Sequence, residues 1–245
     1  MLMVHGYGCD QTMWRLIKPA FSNDYKIVSI DLAGFGQSDL SAYDRSTYAT
    51  LNGHATDILD ICEELDLRDL VFVGHSVGAM IGVLAANRDP SRFSNLIMVA
   101  PSPCYINDGD YVGGFTPTDI DGLLELLDAN FLGWSAQMAP VIMGQPDQPQ
   151  LAEELTDSFC RTDPGIAKHF GRVTFLSDHR RDVMKVTTPT LILQCANDML
   201  APVAVGAWLH NAVPGSTLVN MQATGHCPHL SAPVETIAAM KSYLG

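Results

Sequence analysis

Six short apolar runs rich in β-branched residues recur along the chain, at residues 2–5, 25–30, 70–73, 96–99, 190–194 and 217–220. Between most of them lie segments whose apolar positions repeat at helical spacing. In 52–65, for example, Ile58, Leu59, Ile61, Cys62 and Leu65 share one side, while Asp57, Asp60, Glu63 and Glu64 lie largely on the other. Strands alternating with covering helices argue for an α/β protein with a mostly parallel sheet flanked on both faces. The alternation stops between Pro101 and about Arg180. That stretch instead carries four helix-like segments at 118–128, 131–143, 150–160 and 164–175, separated by Pro, Gly or Asp. The expected organisation is therefore a sheet core from 1–101 and 181–245, with a helical lid at 102–180. The lid holds Tyr105, Phe115, Phe131, Trp134, Phe159, Phe170 and Phe175. Four short helices cannot bury that much aromatic surface among themselves, so part of it should face the sheet and line an apolar pocket.

Composition narrows the function classes. At 245 residues and 47% hydrophobic, the chain can build one full α/β core with an insertion. Against 27 Asp and Glu it has only 14 Lys and Arg, a net charge of -13. Nothing in that balance neutralises phosphates, so neither nucleic acid nor an anionic membrane is an expected partner. The six cysteines are widely spaced, with no CxxC pair, and read as reduced, buried thiols. With no secretory leader and no apolar run approaching the ~20 residues that cross a bilayer, a soluble cytoplasmic protein is expected.

The chemistry centres on "LVFVGHSVGAMIG", where Ser76 stands between Gly74 and Gly78 as a strand-like run gives way to the helical pattern of 79–87. The bare Gly-x-Ser-x-Gly pattern is weak, and a serine capping a buried helix is its plain alternative. Context strengthens it: a sharp strand-to-helix turn strains the serine backbone and brings the residues two before and two after too close for side chains. A serine hydroxyl also needs a base, and the base an orienting acid. In open α/β sheets these sit beyond the carboxyl ends of strands. Asp198 follows the 190–194 strand in "LILQCANDMLAP", and His226 follows the last strand in "LVNMQATGHCPHL".

Competing residues fit less well. His229 should begin or pack against the helix that starts near Ser231, and a His226–His229 metal pair lacks a third ligand at suitable spacing. His75 should point to the opposite side of the strand end. His5 should satisfy buried polar groups. Asp178 and Asp182 lie in the charged "SDHRRD" lid exit, and Asp31 precedes a glycine-bearing loop. The oxyanion of an acyl-transfer intermediate needs two preorganised donors. The backbone N–H of Val77, opening the helix after Ser76, is one candidate. The N–H of Tyr7, in the "VHGYGCD" loop after the first strand, is the other.

Taken together, "GHSVGAMIG", "APSPCYIND" with "GGF", "LDANFLGW", "FCRTDP", "FLSDHR", "LILQCANDMLAP" and "ATGHCPHLSAP" make nearly the whole chain resemble the α/β-hydrolase family. Within it, the chain is similar to the RsbQ-type bacterial stress regulators and the plant strigolactone and karrikin receptors. The resemblance implies a Ser76–Asp198–His226 triad and a V-shaped four-helix cap over a hydrophobic cavity lined by Tyr7, Tyr105, Phe115, Trp134, Phe159 and Phe175. It also implies one of two roles. The first is cleavage of a small hydrophobic ester or lactone, needing no metal or organic cofactor. The second is ligand sensing with a protein partner such as a PAS-domain phosphatase. Cofactor-free peroxidation or carbon–carbon bond hydrolysis is a minor alternative, and a serine at the turn argues against aspartate-nucleophile dehalogenases and epoxide hydrolases. Two departures stand out. The chain opens almost at the HGYG strand, where relatives carry about twenty further residues forming a first hairpin, so a short sheet edge is expected. Relatives also commonly have Phe where this chain has Tyr7, which should put a hydroxyl near the pocket mouth.

Overall fold

A computed structural model describes all residues, 1–245. Six strands, β1 Leu2–Val4, β2 Val28–Ile30, β3 Leu70–His75, β4 Phe93–Val99, β5 Thr190–Gln194 and β6 Thr217–Asn220, form one sheet. Their order is β2-β1-β3-β4-β5-β6 with every neighbouring pair parallel, so the expected mostly parallel sheet is wholly parallel. Ten helices accompany it: α1 Asn52–Glu64, α2 Val77–Arg88, α3 Pro117–Ala129, α4 Phe131–Met143, α5 Pro149–Arg161, α6 Pro164–Phe175, α7 Arg180–Val183, α8 Val203–Ala212, α9 Pro228–Ser231 and α10 Pro233–Leu244. None is long and apolar enough to cross a membrane.

The central strands are apolar on both faces because both faces are covered. Along β3, Leu70 and Phe72 join Val4, Leu96, Met98 and Ile192 in the core shared with α1, α2, α8 and the helices α3–α6. Val71 and Val73 join Met3, Ile97, Val99, Leu191 and Leu193 on the other face, with Trp14, Phe21 and Met240. The period-two alternation of a strand thus serves two apolar layers.

Helices α3–α6 all fall between β4 and β5. A capping box between Thr116 and Asp119 starts α3, and Pro149 and Pro164 at first helical positions start α5 and α6. Gly144, in the left-handed region, ends α4. Packing pairs α4 with α5 and α3 with α6.

Some sequence expectations shift. Helix α8 carries no Lys, Arg, Asp or Glu and lacks the apolar–polar contrast that marks an amphipathic helix, so periodicity passed over it. The single C-terminal helix expected near Ser231 is two helices, α9 and α10, divided at Ala232. Leu65, expected on the buried stripe, sits at the C-cap of α1 and is exposed, because the stripe ends with the helix. Five cysteines are buried, but Cys160 lies exposed near the end of α5.

Candidate active site

Ser76 occupies the junction of β3 and α2 with φ +54° and ψ -123°, a conformation L-residues avoid. Its own N–H donates to Val99 O at 2.9 Å. The two flanking glycines have a geometric cause. A Cβ on Gly74 would lie 2.5 Å from Gly78 O, and one on Gly78 would lie 2.6 Å from His5 O. The turn can therefore be this tight only without side chains at those positions.

Two loops beyond the carboxyl ends of β5 and β6 meet Ser76. His226 Nδ1 lies 2.7 Å from Asp198 Oδ2, and its Nε2 lies 2.7 Å from Ser76 Oγ. A carboxylate only accepts, so Nδ1–H donates to Asp198 and the Nε2 lone pair accepts the Ser76 hydroxyl proton. All three side chains are buried. The other oxygen of Asp198, Oδ1, accepts from the N–H groups of Leu200 at 2.9 Å and Ala201 at 3.1 Å, which fixes the plane of the carboxylate. Buried Gln194, donating to Cys195 O and Ala201 O, shapes the same loop. On the histidine side, Gly225 takes φ +79°, and a Cβ there would lie 1.8 Å from Met143 O. The N–H of His226 donates to Ile142 O at the end of α4, at 2.8 Å.

The competing residues go elsewhere. His5 is spanned by backbone, its Nε2 accepting from Leu32 N–H at 3.0 Å and its Nδ1–H donating to Gly6 O at 2.8 Å. His229 packs between Trp14 and His75, with ring centroids 4.8 and 4.4 Å away, and burial pushes its pKa down to about 3. Asp31 accepts from the N–H groups of Gln11 and Gln37. Asp178 pairs with Arg180, and Asp182 with His179 and Lys185. His75 departs from expectation. Its ring does not turn away from the site: Nε2–H donates to the backbone carbonyl of His226 at 2.8 Å, and the side chain forms part of the cavity wall. Burial, reinforced by the imidazoles of His229 and His226, holds its pKa well below the ordinary value, so it is neutral.

The loop of the HGYG segment passes close to the serine: a Cβ on Gly6 would lie 3.2 Å from Ser76 Cβ and 2.6 Å from His75 Nδ1. The N–H groups of Tyr7 and Val77 have no acceptor within the protein. The Tyr7 side chain corrects the expectation of a hydroxyl at the pocket mouth. It points into the helical layer and donates to Ala167 O in α6 at 2.9 Å.

Above Ser76 lies a narrow, largely apolar cavity of only about 20 Å3. That is room for about one water molecule. Of the aromatics named from the sequence, Tyr7, Tyr105, Phe159 and Phe175 line it. Phe115 and Trp134 do not. Phe115 is tied to Tyr105 O through its backbone, and Trp134 stands behind the wall against Tyr7 and Phe159. The wall also contains Ile142, Leu155 and Leu200, aliphatic residues that no sequence signal separates from ordinary core, and Cys9 and Cys227, whose thiols burial pushes far up and leaves unreactive. The Tyr105 hydroxyl lies 3.5 Å from Ser76 Oγ and, pushed up to about 12 by burial, stays protonated.

A sequence model of the alpha/beta hydrolase family matches residues 1–240. The chain belongs to the α/β hydrolase family. It is 36% identical to the karrikin insensitive 2 receptor IA of Petunia hybrida, over 100% of this chain and 89% of that protein. It is also 36% identical to the strigolactone esterase D14 of Arabidopsis thaliana, over 96% of this chain and 88% of that one. Among solved structures, a hydrolase from Oleispira antarctica superposes with a TM-score of 0.97 at 39% identity, covering 99% of this chain and 89% of the other.

Proposed function

We propose that this protein is a cytoplasmic serine hydrolase that cleaves a small hydrophobic ester or lactone. In this reading, residues 102–180 act as a lid on a core formed by 1–101 and 181–245. Ser76 Oγ attacks the carbonyl carbon as His226 Nε2 takes its proton, and Asp198 holds the imidazole in the accepting tautomer and stabilises the imidazolium. The N–H groups of Tyr7 and Val77 hold the oxyanion. Collapse of the tetrahedral intermediate breaks the ester bond, and His226 returns the proton to the leaving alcohol. Water, activated by the same imidazole, then releases the acid from the acyl-serine. Neither step calls for a metal or an organic cofactor.

The observation that carries this reading is the unbroken hydrogen-bonded chain from Asp198 through His226 to a strained Ser76 at the floor of an apolar cavity. The test is turnover of p-nitrophenyl acetate or butyrate. Ser76→Ala should lose at least about 10³-fold in kcat, while ligand binding persists. Unchanged hydrolysis in that variant defeats the proposal.

One observation supports a second role on the same site. With a cavity of only about 20 Å3, any ester or lactone must displace the roof to enter, so occupancy and lid geometry are linked. A regulator with slow hydrolysis uses such a link to recruit a protein partner, in the manner implied by the RsbQ-type resemblance with its PAS-domain phosphatase. Slow turnover with a lactone-dependent rise in melting temperature and lactone-dependent capture of such a phosphatase supports sensing. A bound ligand at a hundredfold excess over Kd stabilises by about 2.7 kcal/mol, which a melting screen detects. Fast turnover of many esters, with no ligand-dependent partner, favours the enzyme alone.

A further inference from the structure

The loop that carries the Tyr7 N–H is held at its tip by the lid rather than by the core. Cys9 N–H donates to Gly6 O and closes a turn over Tyr7 and Gly8. Within that turn the two residues make only two further hydrogen bonds, and both reach helices of the 102–180 segment. The Tyr7 hydroxyl donates to Ala167 O of α6 at 2.9 Å, and Ser158 Oγ of α5 donates to Gly8 O at 2.8 Å. The fit around each is close. A Cβ on Gly171 would lie 3.3 Å from the Tyr7 hydroxyl, and one on Gly8 would lie 2.1 Å from the Phe159 ring. The Tyr7 ring is stacked on Phe170 and edged by Trp134, with centroids 6.0 and 5.9 Å away. The side chain of Tyr7 is thus embedded in the lid, while its backbone N–H has no acceptor within the protein and follows Gly6, where a Cβ would lie 3.2 Å from Ser76 Cβ.

We propose that Tyr7 and Ser158 are positioning residues that make the oxyanion hole depend on lid closure. The inference rests on the hydrolase reading above and deepens it. Lifting α5 and α6 to admit a substrate withdraws both bonds that fix the turn. The Tyr7 donor is then aligned only after the lid has closed again over the bound ester. Attack on the carbonyl is thereby confined to a site from which bulk water has been expelled, since the electrostatic stabilisation of the oxyanion appears with closure. The same coupling carries occupancy of the cavity to the outer face of α5 and α6.

The experiment compares Tyr7→Phe, which keeps the ring and removes the hydroxyl, with Ser158→Ala, using p-nitrophenyl butyrate kinetics and amide hydrogen exchange on the full chain. Each variant loses one buried hydrogen bond, so a fall in kcat of about fivefold is expected, with KM within about twofold. Exchange should quicken about fivefold in residues 164–175 for Tyr7→Phe and in 149–161 for Ser158→Ala, with α1 unchanged. A merely structural role moves the melting temperature without this split between kcat and KM. Unchanged kcat in both variants overturns the proposal, as does a rise in KM alone or a fall in kcat without faster lid exchange. Ser76→Ala is measured alongside: if wild type turns over no faster than that variant, the hydrolase reading itself has failed, and exchange in 164–175 still decides whether the hydroxyl holds the lid.

Discussion

Behind the site lies an acid sensitivity that can be worked out in magnitude. His229 is completely buried between Trp14 and His75, and neither ring nitrogen has a hydrogen-bond partner. Burial is the main reason its pKa falls from 6.5 to about 3, with His226 and Arg15 adding smaller repulsions. The folded state therefore binds the proton more weakly than the unfolded state. Above about pH 6.5 both states are neutral and the full stability is present; as pH falls through that value only the unfolded chain takes up the proton. The loss grows by about 1.4 kcal/mol per unit until about pH 3, which makes roughly 2 kcal/mol at about pH 5 from this one residue. His75, lowered by burial in the same cluster, adds loss of the same sign. Replacing His229 by Leu removes the titrating ring and strands no hydrogen bond. Urea unfolding of wild type and His229→Leu at about pH 7.5 and about pH 5 isolates the proton-linked part, because any packing cost of the leucine is common to both pH values. The variant should lose about 2 kcal/mol less than wild type between the two conditions. Equal losses in the two proteins refute the reasoning, and so does a His229 ring that titrates near its ordinary value in the folded protein by NMR.

Other consequences follow from single contacts. Asp198→Asn places an amide opposite His226 Nδ1 and favours the tautomer with a proton on Nε2, which can no longer accept from Ser76; kcat for p-nitrophenyl butyrate should fall about 10³- to 10⁴-fold with little change in KM. Gly78→Ala sets a methyl 2.6 Å from His5 O and 2.9 Å from Val4 O, backbone atoms that cannot swing aside, and should destabilise by about 2 kcal/mol or more in urea titration. Gly122→Ala, in the exposed middle of α3 with nothing within 4 Å, should instead stabilise by about 0.5–1 kcal/mol. Of the six cysteines only Cys160 is exposed, so a chromogenic disulfide should titrate one thiol rapidly in the native protein and all six in guanidinium.

What was legible in the sequence was what repeats or what is chemically scarce. Strands β5 and β6 and helices α4 and α6 fall on the same residues as their apolar patterns, with β5 wholly buried and β6, at the sheet edge, only partly so. Ser76, Asp198 and His226 could be picked out because polar residues with the right functional groups follow strand ends in a fixed order, and the structure brings those three side chains into one hydrogen-bonded chain. The cavity wall was less legible. Tyr7, Tyr105, Phe159 and Phe175 are conspicuous aromatics, whereas Ile142, Leu155 and Leu200 look like any core residue until the chain is folded. Phe115 and Trp134 show the reverse: an aromatic in the 102–180 segment is as well spent supporting the wall from behind as facing the cavity. Side-chain direction was least legible of all. Nothing local to "GHS" says that His75 reaches the carbonyl of a residue 151 positions away, and nothing in "HGYG" says that Tyr7 donates to α6.

These long-range bonds explain why departures from local preference gather where they do. Ser76 at φ +54°, the unbonded ring nitrogens of His75 and His229, and the glycines at 74, 78 and 225 all sit within one web. Each alone is unfavourable, as strained backbone and unpaired buried nitrogens cost of order 1–3 kcal/mol apiece. Left to relax singly, Ser76 would rotate away from His226 and His75 would seek solvent. Neither can, because the Ser76 N–H is fixed to β4 through Val99, the His226 loop to α4 through Ile142, and His75 to His226 itself. The wholly parallel, doubly covered sheet supplies the rigidity that opposes relaxation, and the helices above supply the remaining fixed points. A site assembled this way is held from below by the sheet and from above by α4–α6, which reach it through the His226 loop and the cavity wall. Changes in the sheet should therefore register first as lost stability, and changes in α4–α6 as altered catalysis.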